Sequence, residues 1–141
     1  DRGKSPDYLA VALQDADTGY LLGVTESVMV PADDVRTTAG LRFRIPLYLP
    51  ANVVTTSMNV QCHVYLKPGG LWHTSKPFLV ASSQRLAVPH LREAAAKHAV
   101  WTLPLSSSVV VDGKMTVTVL PDTKFPPLCG PGWSLADPNI Q

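Results

Sequence analysis

Arg42, Arg44 and Tyr48 alternate with apolar residues in the run Leu41-Arg-Phe-Arg-Ile-Pro-Leu-Tyr-Leu49, and His63 and Tyr65 do so in Met58-Asn-Val-Gln-Cys-His-Val-Tyr-Leu66. A guanidinium presents a fork of N–H donors that matches carboxylates and phosphates, and an aromatic ring offers a face for stacking. Such residues on one surface suit a protein interface or an anionic partner rather than bond-breaking chemistry. These five are the first candidate binding residues. Trp133 is the sixth. It lies in Gly130-Pro-Gly-Trp-Ser134, where a tryptophan can anchor an irregular tail on its own domain or in an adjacent subunit.

The search for catalytic groups is negative. There is no Gly-x-Ser-x-Gly, His-Glu-x-x-His, phosphate-binding loop, dinucleotide fingerprint or aromatic RNA-binding signature. Asp33 and Asp34 are adjacent, and neighbouring side chains on an extended segment diverge, so they read as solvated loop residues. Asp15-Ala-Asp-Thr-Gly19 opens like a calcium loop, but the apolar Tyr20-Leu-Leu22 run interrupts the later ligand positions. His63 and His73 flank the Pro68-Gly-Gly70 turn without an evident third ligand, which a metal site needs. The sequence therefore implies no catalytic residue, no metal and no cofactor.

The elements that must position the binding residues follow from periodicity. Leu41, Phe43, Ile45, Leu47 and Leu49 share one face of the first run, and Met58, Val60, Cys62, Val64 and Leu66 share one face of the second. A period of two means a strand with one side in a core. Pro46 cannot donate to a ladder, which suggests that the first run is an edge strand or carries a bulge. The second strand is expected to span 53–66, with a bend or bulge near Thr55-Thr-Ser57. If the two runs pair, their outward residues form one basic, aromatic surface.

Elsewhere, Tyr8–Leu13 and Tyr20–Val24 flank an Asp/Gly loop and predict a hairpin, with 27–30 extending its second arm. Residues 31–40 read as a loop, and 71–74 and 78–81 as short strands. Pro89 followed by Leu91-Arg-Glu-Ala-Ala-Ala-Lys-His98 predicts one short helix, buried on the side of Leu91, Ala94, Ala95 and His98. Val100–Leu103 returns to strand. Asp112-Gly113 between β-branched arms predicts a two-residue hairpin turn. Residues 121–141 hold five prolines and no periodicity.

The chain has 141 residues, 45% hydrophobic and 16% charged, which suits one domain with a real core. No apolar run approaches the roughly 18 residues that span a bilayer. The start at Asp1 without methionine suggests a piece of a longer or processed protein. The net charge of +1 conceals an asymmetry: residues 1–40 carry three basic and seven acidic side chains, whereas 41–100 carry seven basic side chains and one acid. The middle segment can be neutralised within the fold or can face an anionic partner. Cys62 is expected in the core and Cys129 in a loop, and a disulfide between them is possible in an oxidising compartment.

The fold expected is an all-β antiparallel sandwich or jelly roll of about eight strands. One short helix lies near 89–98. Residues 1–120 form the domain, and 121–141 an extended tail packing on it or on a neighbouring subunit. The function expected is a non-enzymatic assembly or attachment module, most simply a viral capsid, decoration or protruding coat domain. The alternatives are an immunoglobulin-like or appendage-like protein-binding domain of a larger cellular protein, and a carbohydrate-binding β-sandwich. The partner expected is protein, by self-association or from a neighbouring domain, with nucleic acid or an acidic glycan possible at the basic 41–100 segment. A virion or extracellular setting is favoured over a cytoplasmic one.

Overall fold

Alternation becomes two facing sheets in the computed structural model, which describes residues 7–25, 28–30, 42–67, 77–106 and 113–121. Eight strands are described: β1 (Asp7–Asp15), β2 (Leu21–Val24), β3 (Val28–Val30), β4 (Arg42–Leu49), β5 (Asn59–Lys67), β6 (Phe78–Ala87), β7 (Val100–Leu105) and β8 (Gly113–Pro121). A single helical turn, α1 (Ala51–Val54), follows β4, and a helix, α2 (Val88–Ala96), joins β6 to β7. Sheet A has the order β2-β1-β5-β6, with β3 continuing the β2 edge along β1. Sheet B has the order β4-β8-β7. The protein is an all-β sandwich. Leu9, Val11 and Leu13 from β1 and Val60, Cys62 and Val64 from β5 meet Ile45, Leu47, Met115 and Val117 in one buried cluster.

The first hairpin forms as its loop predicts. Asp15 Oδ1 accepts from the N–H groups of Asp17 (2.8 Å) and Thr18 (3.3 Å), and Gly19 takes a positive φ of 79°. This is the turn chemistry of an aspartate at a loop start. At the far end of β2, the Val11 N–H donates to buried Thr25 Oγ1 (3.0 Å), while the Thr25 N–H donates to Val11 C=O (2.9 Å). Thr25→Val keeps the shape and removes that acceptor. The expected loss is about 1–3 kcal/mol, the cost of an unsatisfied buried donor. Urea unfolding checks it as a lower midpoint at unchanged slope.

The pairing departs from expectation in sheet B. β4 and β8 are parallel, in register from Arg42↔Lys114 to Leu49↔Pro121, so the sandwich is not wholly antiparallel. The register sets Phe43 beside Met115, Ile45 beside Val117 and Leu47 beside Val119, so both apolar rows enter the core together. Among the described strands β4 is nevertheless an outer one, the edge position being one of the two readings that Pro46 allows.

Three local readings are corrected. The strand expected over 53–66 begins only at Asn59. Val53 and Val54 belong to α1, where both N–H groups donate to Pro50 C=O, and Val53 is buried. The hairpin arm opposite β8 is β7: Gly113 already pairs with Leu105, so Asp112-Gly113 is not the tip of a two-residue turn. His98 is exposed rather than buried. It sits at φ 52° just past α2, with its N–H donating to Ala95 C=O and the Ala99 N–H donating to Ala94 C=O. That pair of bonds is the Schellman closure of a helix, which turns this residue away from the helix face. Leu91, Ala94 and Ala95 are buried as expected.

The loop at 31–40, the strand at 71–74, the tail from residue 122 and the residues His73, Cys129 and Trp133 lie outside the described residues.

Candidate functional site

The expected constellation is divided between the sheets. Arg42, Arg44 and Tyr48 stand on β4 in sheet B, and His63 and Tyr65 on β5 in sheet A. The runs are close in sequence but never pair, because β4 takes β8 as its neighbour and β5 takes β1 and β6. A single surface holding all five does not exist. His63 is half-buried, and its Nδ1 shares a 2.7 Å hydrogen bond with Ser82 Oγ across β5 and β6. Tyr65 faces away from the main core but is only 3% exposed, packed in a second apolar cluster with Ala10, Ala12 and Val24.

Arg42 and Arg44 gain a different neighbour. Lys114 of β8 lies directly across from Arg42, and Thr116 lies across from Arg44. Thr102 of β7 is next to Thr116 in the adjoining ladder. These five side chains line a concavity of about 350 Å³ on sheet B. The arginines and Lys114 are exposed, and β4, β7 and β8 carry no Asp or Glu. Sequence reasoning missed Lys114. Its signal was the alternation of Met115, Val117 and Val119, which sends Lys114, Thr116 and Thr118 to the other face, but the partner strand was not readable.

The second feature is the junction between the sheets. Ser82 and Ser106 exchange two backbone hydrogen bonds, of 3.1 and 3.0 Å, joining β6 to the end of β7. The same side of β7 next presents Pro104, which has no N–H, so the ladder cannot continue. On the β6 side the pairing with β5 jumps from His63↔Ser82 to Gln61↔Arg85, so Cys62 faces both Ser83 and Gln84 in a bulge. Beyond this point β6 and β7 enclose a concavity of about 490 Å³ with α2 between them. Leu86, Ala94, Trp101 and Leu103 give it an apolar lining, and His90, Glu93 and Lys97 of α2 also border it. Arg85, also at this wall, is held by the Asp17 carboxylate and by Ala16 C=O.

Among the described residues, one side of the β7 backbone takes no strand partner here. Ala99 C=O accepts from the Val119 N–H, so odd-numbered groups face β8. Strand alternation then directs the N–H and C=O groups of Val100 and Thr102 away from β8, along the edge that Ser106 uses to reach Ser82. No described strand pairs with them.

The bulge also sets the chemistry of Cys62. Its N–H donates to Ser83 Oγ (3.1 Å), which in turn donates to Gln84 C=O (2.8 Å). Cys62 is a free, fully buried thiol, and burial pushes its pKa up to about 12, against a smaller lowering by Ser83. A thiol held protonated in this way is a packing residue rather than a nucleophile.

Among the described residues no three His, Cys, Asp or Glu side chains gather as a metal ion requires, and no helix is long and apolar enough to cross a membrane. Fold and features together define, among the described residues, a β-sandwich with strand edges that no other strand covers and a basic sheet face. No family model, curated protein or solved structure matches the chain.

Proposed function

We propose that the chain is a non-enzymatic assembly module that receives an extended segment of a neighbouring subunit along the free edge of β7. One observation carries the reading: the ladder between β6 and β7 stops at Pro104 and leaves an edge that no described strand pairs with, beside a concavity of mixed polar and apolar lining. Unpaired edges are templates for another strand, and strand addition is a recurrent mode of recognition. Natural proteins blunt such edges with charge, but Val100 is apolar and 61% exposed. The concavity beside it suits an anchoring side chain, for which Trp133 is the chain's own candidate. A capsid, decoration or coat subunit of a virion is the narrower form of this reading, supported by the low charged fraction of 16%.

Light scattering on wild type and Thr102→Pro tests the proposal. Proline removes an N–H that faces away from β8, so the β7–β8 ladder keeps its bonds. The expected result is a symmetric oligomer for wild type and a folded monomer for Thr102→Pro, with an unchanged far-ultraviolet circular dichroism spectrum. Trp133→Ala is expected to weaken the oligomer as well. A wild type that stays monomeric at high concentration, or a Thr102→Pro oligomer as stable as wild type, refutes the reading.

A further inference from the structure

We infer that the outer face of sheet B binds single-stranded nucleic acid through its phosphates. The surface is distinct from the β6–β7 junction and independent of the assembly reading. Parallel pairing of β4 with β8 brings Arg42, Arg44 and Lys114 together, although Lys114 is about seventy residues away in sequence. Residues two apart on a strand are about 7 Å apart along it, and neighbouring strands are separated by about 4.8 Å. The three cations therefore occupy one small patch. Thr102 and Thr116 add hydroxyl groups to the same concavity. Arginine, lysine and threonine are residue types that contact phosphate oxygens.

Two features favour nucleic acid over an acidic peptide or glycan, and a single strand over a duplex. Tyr48, half-buried, lies on the same face of β4 as the arginines and offers a ring on which a base can stack. Duplex readout uses a helix or a two-stranded ribbon inserted in a groove. Here the only long helix among the described residues, α2, packs against β8, β4 and β6, and the basic residues sit on the broad face of a three-stranded sheet.

The test is fluorescence anisotropy with labelled oligothymidylate, about 12 nucleotides long, at several salt concentrations. Three phosphate contacts predict a slope of about −2 in log K against log salt, or roughly a 20-fold weakening between 50 and 200 mM. Arg44→Ala and Lys114→Ala are each expected to reduce the slope by about 0.7, whereas Arg44→Lys preserves it. Tyr48→Ala is expected to weaken binding about five-fold or more with the slope unchanged. Circular dichroism confirms that each variant is folded. The inference is overturned by no binding at 50 mM salt, or by a slope that Arg44→Ala and Lys114→Ala leave intact. Equal affinity for polyglutamate, heparin or a duplex also overturns it.

Discussion

Leu91→Ala is expected to lower the free energy of unfolding by about 2–5 kcal/mol, the range for truncating a buried leucine. Leu91 is 1% exposed and belongs to the main cluster. A nine-residue helix is marginal in water, so α2 depends on the face it buries against β8, β4 and β6. The loss should spread to α1. Arg92, the next residue, donates from Nε to Val54 C=O (2.9 Å) and from its terminal nitrogen to Thr56 C=O (3.1 Å). It therefore ties the end of α1 to α2. Loosening α2 also loosens one wall of the β6–β7 concavity. Urea unfolding followed by tryptophan fluorescence measures the effect. His90→Ala, on the exposed side of the same helix, is the control, expected within about 0.5 kcal/mol of wild type. Equal destabilisation by both variants would mean that α2 is not held by its buried face.

Raising the pH is expected to destabilise wild type more than Cys62→Ala. In the folded protein the thiol pKa is raised from 9.0 to about 12 by burial. An unfolded chain releases the thiol proton near its ordinary value, while the folded chain keeps it. The folded state then binds more protons than the unfolded state between those two values. Stability must therefore fall as pH rises through that interval, by up to about 1.4 kcal/mol per pH unit. Below pH 9 the contribution of Cys62 is fully present. The measurement is the difference in unfolding free energy between wild type and Cys62→Ala from pH 8 to pH 11. Parallel profiles would show that Cys62 titrates alike in both states. Native wild-type Cys62 should also resist thiol reagents that modify it in urea.

Much of the β architecture was legible because the relevant signal is local. Leu41–Leu49 reads as a strand because its apolar residues recur every second position, and it is one from Arg42 to Leu49. Pro46 suggested an edge strand or a bulge, and among the described strands it lies on an outer one. Asp15 and Gly19 announced the first hairpin. The helix at Val88–Ala96 followed from Pro89 and an alanine-rich run. Local signals failed where a neighbour overrode them. The valines at 53 and 54 favour strand, but Pro50 offers its carbonyl to both N–H groups and closes a helical turn. Asp112-Gly113 looks like a hairpin tip, but Val100–Leu105 supplies the apolar alternation that fills the core opposite Met115 and Val117.

The candidate site was only half legible. Local patterning was enough to set the all-β class, the outward direction of Arg42, Arg44 and Tyr48, the core position of Cys62 and the concentration of positive charge in residues 41–100. These depend on residues one to four positions apart, whose geometry a strand or helix imposes directly. Tertiary structure alone decided which strands became neighbours. It separated Arg42 and Arg44 from His63 and Tyr65, buried Tyr65, brought Lys114 beside Arg42 and opened the junction at Pro104. Alternation says which side of a strand faces the core. Pairing depends on how distant apolar rows fit together, and no short-range pattern encodes that.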